Sequence, residues 1–252
     1  MDLGLSGKTA AVIGASKGIG RAIAAGLAQE HCHIAAVARS EELLSAAGPE
    51  LLELGAASVH CFCRDIVNDP PKALAAEILE SCGTPDVVIH NVGSSLVSRD
   101  PLSDAGGWEY ALRYNALAAV DMNSVFFPAM LAKGSGKVIH ISSISAVALR
   151  GNPLYASAKA FLNAYVTTTG RQLAQRGVTL CSVMPGAVSF PGSYWDGLIQ
   201  ERHPQVKDFL RHHQAAGRFG TPEEIADVVV FLASERSAFL YGANIPVDWG
   251  SM

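Results

Sequence analysis

Residues 9–20 read TAAVIGASKGIG, a short apolar run followed by three glycines within seven residues. The run at 9–13 is typical of a strand buried on both faces, and a helical pattern begins near residue 18. Glycines between a strand and a helix permit a tight turn. They also let a pyrophosphate approach backbone N–H groups at the positive end of the helix dipole. Because the glycines directly follow the first strand, the stretch predicts dinucleotide binding.

The remaining sequence alternates short apolar runs with segments of helical length. Further strand candidates lie at 33–37, 58–62, 86–90, 137–142, 178–183 and 244–247. Helical segments lie near 18–30, 41–54, 71–81, 108–131, 155–175 and 222–233. Alternating units of this kind predict a parallel sheet with helices on both faces. The predicted fold class is therefore α/β, with one doubly wound domain over residues 1–252 and a sheet of about seven strands.

Composition argues against several classes of protein. The net charge of −4 and the pI near 6.0 disfavour nucleic acid as a partner, since phosphate binding needs a basic surface. No apolar run reaches the roughly 18 to 20 residues that span a bilayer, and no basic leader opens the chain. The odd number of cysteines and the lack of a C-x-x-C pattern fit no disulfide framework. We therefore predict a reduced, cytoplasmic protein whose cysteines are mostly core residues.

Residues 155–159 read YASAK, which places Tyr155 and Lys159 on the same face of a helix. A cation about 4 Å from the phenol, at an effective dielectric near 20, contributes on the order of 4 kcal/mol. We therefore expect Lys159 to lower the pKa of Tyr155 from its ordinary value near 10. By itself the pair also fits a buried tyrosine beside a lysine whose stem covers apolar surface.

With these motifs in place, the chain resembles the short-chain dehydrogenase/reductase family over nearly its whole length. The resemblance is carried by GASKGIG at 14–20, Asp65, HNVG at 90–93, Asn115, ISS at 141–143, YASAK at 155–159, PG at 185–186 and GRFGTPEEIADVVVFLAS at 217–234. It implies a single Rossmann-type domain, a nicotinamide cofactor and carbonyl–alcohol oxidoreduction.

The resemblance also assigns catalytic roles. Tyr155 is the acid in reduction and the base in oxidation, and Lys159 holds the ribose hydroxyls of the cofactor. Ser143 holds the substrate oxygen, with Ser142 as a near alternative. Asn115 holds a water that links Lys159 to solvent.

The residues after the second strand select the cofactor. Arg39 stands where an acid would accept bonds from the 2′-hydroxyl of NAD, and Lys17 adds a second cation in the glycine loop. Both favour the 2′-phosphate of NADP(H). The expected cofactor-binding set is Gly14, Ser16, Lys17, Gly18, Ile19, Gly20, Arg39, Ser40, Asp65, Ile66, Asn91, Gly93, Tyr155, Lys159, Pro185, Gly186 and Val188.

Three residues depart from the family pattern. Ile13 and Phe190 each stand where a threonine is usual, and Val92 replaces an alanine. Phe190 lies near the start of a connection at 187–216. The resemblance implies that this connection is a lid over the substrate. We predict no metal site, because His212-His213 has no supporting carboxylate or cysteine.

The substrate stays open at this point. The chain resembles 3-oxoacyl carrier protein reductases, which dock an acidic carrier through basic residues. Arg176 matches one such position, whereas Gly134 stands in place of the other cation with Lys133 beside it. A small-molecule ketone and a carrier-bound thioester are both retained. A cofactor-binding regulator is disfavoured by the complete set of catalytic residues. A sugar-nucleotide epimerase or dehydratase is disfavoured because that branch carries G-x-x-G-x-x-G and an added C-terminal domain, neither of which this sequence has.

The two helical segments at 108–131 and 155–175 also predict self-association. They carry apolar or small residues on more than one face, although a helix lying on a sheet needs only one apolar stripe. These residues are Ala116, Ala119, Phe126, Phe127, Ala160, Ala164 and Tyr165. We expect a homodimer or homotetramer built on these helices, as the resemblance also implies.

Overall fold

A sheet of seven parallel strands forms the centre of the protein. The structure is a computed structural model and describes residues 2–251. The strands are β1 (Thr9–Ile13), β2 (His33–Ala38), β3 (Ser58–Cys63), β4 (Val87–His90), β5 (Gly136–Ile141), β6 (Val178–Pro185) and β7 (Asn244–Val247). Their order across the sheet is β3-β2-β1-β4-β5-β6-β7, with every pair parallel. The predicted doubly wound α/β fold is confirmed.

Ten α-helices accompany the strands in the described part of the chain. They are α1 (Gly18–Gln29), α2 (Glu41–Glu53), α3 (Pro71–Cys82), α4 (Ala105–Leu112), α5 (Ala118–Lys133), α6 (Ser145–Ala148), α7 (Pro153–Leu173), α8 (Tyr194–Gln200), α9 (Pro204–His213) and α10 (Pro222–Ala233). None of them is long and apolar enough to cross a membrane. The start of α10 is the capping box expected from the sequence, in which Thr221 and Glu224 exchange hydrogen bonds with each other's backbone.

Successive strand residues enter two separate cores. Ala10 and Val12 of β1 pack in the layer that contains α1 and α10. Ala11 and Ile13 pack in the layer that contains α3, α5 and α7. The continuous apolar runs of the sequence arise because both faces of the sheet are covered.

The segment predicted as one helix over 108–131 differs from the expectation. It begins at Ala105, where the carboxylate of Asp104 accepts a hydrogen bond from Gly107 N–H. Residues Arg113–Leu117 then form a π-helical turn between α4 and α5. The turn contains Asn115, whose amide donates to the carbonyl of Ala111 at 3.0 Å. The short π turn therefore coincides with a candidate catalytic residue, Asn115, and π turns often occur at functional sites.

The connection at 187–216 is mostly helical and contains α8 and α9. The Ser193 hydroxyl caps α8 by accepting from Asp196 N–H, and Pro204 opens α9. Trp195 of α8 stacks on Phe209 of α9 with ring centroids 4.3 Å apart. The aromatic residues of this region thus hold its two helices together.

The expectation that most cysteines are core residues is wrong. Cys32 and Cys181 are buried, and burial raises the pKa of each thiol to about 12. Cys61 and Cys63 are exposed on β3, because this strand lies at the edge of the sheet and the helices leave much of it uncovered.

Two histidines are buried between the sheet and helices α5 and α7. His90 and His140 are paired residues of β4 and β5, and their rings stack with centroids 4.7 Å apart. His90 Nε2 donates to Asn123 Oδ1 at 2.8 Å, and Asn123 Nδ2 lies 3.1 Å from His140 Nε2 and 3.2 Å from the Tyr165 hydroxyl. Since His140 Nε2 accepts from an amide, this network requires the His140 ring to be neutral. Burial lowers the pKa of His90 from 6.5 to about 4 and that of His140 well below its ordinary value.

Acid should therefore destabilise the protein through these two rings. As pH falls from about 6.5 towards 4, the unfolded chain binds protons that the folded chain does not, so the free energy of unfolding decreases. Each histidine contributes at most about 1.4 kcal/mol per pH unit. Urea unfolding between pH 7 and pH 4.5 should show a shallower decrease for His140→Gln than for the wild type. The control His60→Gln, at an exposed position on β3, should keep the steep decrease because both buried rings remain. Equal slopes for the wild type and His140→Gln would contradict the assignment.

Candidate active site

A cleft runs along the carboxyl edge of the sheet and encloses about 790 Å³. Six consecutive strands, β1 to β6, each contribute to it the residue that directly follows the strand. These residues are Gly14, Arg39, Arg64, Asn91, Ser142 and Gly186. The strand order reverses between β1 and β4, and ligands of open α/β sheets bind outside the strand ends at such a point.

The glycine loop after β1 has the geometry that its sequence predicts. Gly14 has φ +98°, a conformation that favours glycine, and its carbonyl accepts from Asn91 Nδ2 at 3.1 Å. A Cβ on Gly20 would lie 1.9 Å from the Gly14 carbonyl oxygen, so only glycine allows α1 to begin this close to the strand. The residues present fit a dinucleotide phosphate group, because the loop combines close backbone approach with a twelve-residue helix that begins at Gly18.

Asn152 fixes the start of helix α7 and was not singled out in the sequence. Its side-chain oxygen accepts from the N–H groups of Leu154 and Tyr155, at 3.0 and 3.2 Å. Its amide donates to three carbonyl groups of the β4–α4 loop, at 3.0 to 3.1 Å. This buried residue therefore holds Tyr155 against the loop that follows β4. The N-x-x-Y spacing with Pro153 at the first helical position is a capping signal that could have revealed it.

Lys159 is one turn further along α7 and is 1% exposed. Its ammonium donates to the carbonyl of Ile141, the last residue of β5, at 2.7 Å. Burial lowers the pKa of this ammonium from 10.5 to about 7. Lys159 is thus a buried cation held by a neutral acceptor, the condition under which a lysine readily gains and loses a proton near neutral pH.

The structure separates the two candidate serines. The hydroxyl of Ser142 donates to Asn163 Oδ1 at 2.7 Å and is buried. The Ser143 oxygen accepts from Ser145 N–H at 3.1 Å. Ser143 and Tyr155 both line the cleft, and the serine hydroxyl is near enough to the phenol to oppose the effect of burial on the pKa of Tyr155. Ser143 therefore lies where the serine and the tyrosine can bind one substrate oxygen together.

The expected lowering of the Tyr155 pKa by Lys159 is not what the structure shows. Burial raises the pKa of Tyr155, and the opposing influence is the hydrogen bond with Ser143. The Lys159 ammonium lies 5.8 Å from the centre of the Tyr155 ring and is directed to Ile141. Because burial removes solvation from both groups, it works against the charged form of the phenol and of the lysine alike.

Asn115 lies behind the cleft wall, with its side chain buried. Its Oδ1 accepts from Ser94 N–H at 2.9 Å. A Cβ on Gly93 would lie 2.9 Å from both this oxygen and the Lys159 nitrogen. Glycine at position 93 thus leaves room for the side chains of Asn115 and Lys159 to lie against the loop after β4.

The structure brings most of the predicted cofactor residues to the cleft surface. Those that line it are Gly14, Ser16, Lys17, Ile19, Arg39, Asp65, Ile66, Asn91, Gly93, Tyr155, Lys159, Pro185, Gly186 and Val188. Three others lie off the surface: Gly20 packs on Gly14, Gly18 lies under the ring of Phe190, and Ser40 caps helix α2. These three shape the cleft without facing it.

The three departures from the family pattern have visible contacts. Ile13 is fully buried in the sheet core. Val92 packs beside Gly14, with a methyl group 3.1 Å from the position of a Gly14 Cβ. The Phe190 ring covers Gly18, where a Cβ would lie 2.5 Å from a ring carbon. Phe190 therefore joins the lid region to the glycine loop through an aromatic contact.

A family model described as enoyl-(acyl carrier protein) reductase matches residues 14–252. With the fold and the Ser143, Tyr155 and Lys159 arrangement, this match defines the class of protein. The chain belongs to the short-chain dehydrogenase/reductase family of oxidoreductases.

Known proteins resemble the chain over nearly its full length. A 3-oxoacyl-[acyl-carrier-protein] reductase of Staphylococcus aureus is 32% identical over 248 residues, which cover 96% of this chain and 97% of that protein. L-sorbose reductase from Gluconobacter frateurii, solved with NADPH and L-sorbose, has a TM-score of 0.92 at 30% identity and covers 100% of this chain and 98% of that one. A 3-oxoacyl (acyl-carrier-protein) reductase from Agrobacterium tumefaciens, solved with NADP, has a TM-score of 0.90 at 26% identity, covering 99% of this chain and 96% of that one.

Proposed function

We propose that this protein is an NADP(H)-dependent oxidoreductase that interconverts a ketone and a secondary alcohol of a small molecule. The observation that carries the proposal is the contact between Ser143 and Tyr155 on the cleft surface, with Lys159 buried one helical turn away. A carbonyl oxygen placed between the serine and the tyrosine receives two hydrogen bonds.

Each residue then has a definite task. When bound, the nicotinamide ring supplies or accepts the hydride at carbon. Tyr155 donates a proton to the carbonyl oxygen in reduction and takes it back in oxidation. Its raised pKa keeps the phenol protonated, which suits the acid role. Lys159 would return a proton to Tyr155, and a water held by Asn115 would in turn connect Lys159 to solvent.

The choice of NADP(H) is supported by the far end of the cleft. Arg39 and Arg64 follow β2 and β3, and Lys17 lies in the glycine loop; all three line the cleft there. The carboxylate beside them is Asp65, whose side chain accepts from Val67 N–H and from Asn68. Arg64 is paired with Glu77 at 3.0 Å, so Arg39 and Lys17 are the two cations that favour a 2′-phosphate over a 2′-hydroxyl. The two solved relatives also hold NADPH or NADP.

A second candidate is reduction of a 3-oxoacyl thioester on a carrier protein or coenzyme A, which the reductases among the relatives favour. The positions of Arg176 and Lys133, the cations at or beside the carrier-docking positions of those reductases, weigh against docking of a carrier at the cleft of the same chain. Arg176 and Lys133 lie just before β6 and β5, at the amino edge of the sheet, opposite the cleft. Lys133 is also paired with Asp86 at 2.7 Å. We therefore place the small-molecule ketone first.

The proposed setting is the cytoplasm, without nucleic-acid or membrane partners, in keeping with the acidic net charge. We also propose a homodimer or homotetramer built on α4, α5 and α7. Ala116 and Phe126 are buried in the chain's own core, so an interface with a second copy is not required to cover their side chains. Ala164 and Phe161 are exposed on α7, however, and small and aromatic residues side by side suit close helix packing.

Tyr155→Phe should retain NADPH binding and lose about a hundred- to ten-thousand-fold in kcat, because the proton donor is removed while the ring stays. Fluorescence titration measures the binding, and oxidation of NADPH with a panel of ketones measures the turnover. The matched control is Tyr110→Phe, at an exposed tyrosine of α4, which should behave as the wild type. Near-normal turnover in Tyr155→Phe would rule out the assigned role.

Arg39→Asp should weaken NADPH binding about tenfold or more and narrow the gap to NADH, since it replaces a charge-assisted bond to phosphate with repulsion. Dissociation constants for both nucleotides give the ratio. Arg176→Asp makes the same charge change at the opposite edge of the sheet and should leave the ratio unaltered. A wild-type protein that prefers NADH would overturn the cofactor assignment.

Light scattering of the purified protein at micromolar concentration should give a mass of two or four chains. Phe161→Glu, which puts a charge on the exposed face of α7, should shift the mass towards one chain. A wild-type mass of 26.4 kDa, that of a single chain, would show the assembly proposal to be wrong.

A further inference from the structure

Resting on the proposed function, the geometry points to an anionic substrate: a small keto or hydroxy acid, or its phosphate counterpart, whose charged group is bound by Arg150 and Arg99. These arginines line the same cleft as Ser143 and Tyr155. Arg99 belongs to the loop after β4, and Arg150 to the loop between α6 and α7. Two loops thus bring guanidinium groups to the cleft that contains Ser143 and Tyr155.

The charge of this part of the cleft is not balanced by acids. Among the described residues that line the cleft, Asp65 is the one carboxylate. Asp65 follows β3, which lies on the far side of β2 and β1 from β5 and Tyr155. On the other side, besides Tyr155 and Lys159, the charged or titratable lining residues are Arg99, Arg150, Tyr194 and His213. A substrate that reaches Tyr155 thus meets a positive surface.

Arg150 is held in place by neutral groups. Its guanidinium donates to His213 Nδ1 at 2.8 Å and to the carbonyl of Ser251. Leu149 before it has φ +50° and Gly151 after it has φ +87°, so an unusual turn presents the side chain. Left-handed conformations at residues other than glycine are costly and often occur at functional sites.

Four other arginines of the chain are used differently. Arg21, Arg64, Arg113 and Arg218 each pair with a carboxylate within the described residues. Within residues 2–251, neither Arg99 nor Arg150 lies within 4.0 Å of one, and the Arg99 guanidinium instead lies 5.0 Å from the centre of the Tyr194 ring. Among residues 2–251, no carboxylate therefore compensates the charge of either arginine.

The chemistry of a guanidinium then decides the class of ligand. Its planar fork of N–H donors matches the two oxygens of a carboxylate or the oxygens of a phosphate. The wall also carries apolar and aromatic side chains, among them Trp195, Phe209 and Leu96, which suit the carbon chain of the substrate. Arg202, His203, Arg211 and His212 of the lid are not among the lining residues, so they take no part in this assignment.

Matched substrates test the inference. L-Sorbose and 5-keto-D-gluconate are six-carbon ketones that differ in one terminal group, which is hydroxymethyl in the first and carboxylate in the second. 4-Oxopentanoate and 5-oxohexanoate, each compared with its methyl ester, extend the test to simple chains, and a terminally phosphorylated ketose gives the phosphate arm. With NADPH, the wild type should show a kcat/KM about tenfold or more higher for the charged member of at least one pair. The preferred anion identifies carboxylate or phosphate as the natural group.

Variants assign the preference to the arginines. Arg150→Met should reduce the preference for the charged member about tenfold, mainly through KM, and Arg150→Lys should restore part of it. Arg99→Met is the second variant, in case Arg150→Met fails to fold. Arg211→Met, on helix α9 but away from the cleft lining, should keep the wild-type preference. Thermal denaturation checks that each variant is folded.

The outcomes separate this inference from the proposed function. If neutral ketones are turned over as well as their acids, the anionic substrate is excluded. If Arg150→Met and Arg99→Met both keep the preference, recognition of the anion by these arginines is excluded. The oxidoreductase assignment stands in both cases. If no ketone of either kind is turned over, the proposed function fails. In that case calorimetric titration of the oxo acids and esters into the protein with NADP still decides whether the arginines select an anion. Equal binding of acid and ester would then refute the inference.

Discussion

Lys159 buries its ammonium group at the carboxyl end of β5, where the Ile141 carbonyl accepts its hydrogen bond. Removing a cation from water is costly unless polar groups surround it, and the site is arranged to meet that requirement. Gly93 leaves room beside the ammonium, and Asn115 brings its side-chain oxygen to the same place. The π-helical turn carries Asn115 to this place, and helix α7 carries Lys159 to the end of β5.

The same burial governs the chemistry of the pair. It lowers the pKa of Lys159 to about 7 and raises that of Tyr155, so the neutral forms of both groups are favoured. A protonated phenol beside Ser143 is suited to donate to a carbonyl oxygen. A lysine with a pKa near neutrality is suited to return the proton. The simple expectation of a lysine that acidifies a tyrosine considered only their attraction. Desolvation opposes it, and in this protein desolvation has the larger effect.

Local signals in the sequence predicted a large share of the fold. The seven strands were identifiable because most are short apolar runs covered on both faces, and the observed bounds differ by at most two residues. The glycine loop and the capping box at Thr221 were identifiable because their geometry depends on residues close together in the chain. The helix over 108–131 was misplaced, since Asp104 caps an Ala-Gly-Gly start of weak helix propensity. The π turn depends on a contact between Asn115 and Ser94, 21 residues apart, which periodicity cannot show.

By itself, the sequence determined the fold class, the family resemblance and the identity of Ser143, Tyr155 and Lys159 as the candidate catalytic residues. These depend on residue types at short, regular spacing. Only the tertiary structure decided which serine faces the tyrosine, because the Ser142 hydroxyl is taken by Asn163, a distant residue of α7. It also decided that Asn152 holds the start of that helix and that Arg150 and Arg99 line the same cleft. Such relations arise from the packing of segments that are distant in the chain, and no local pattern encodes them.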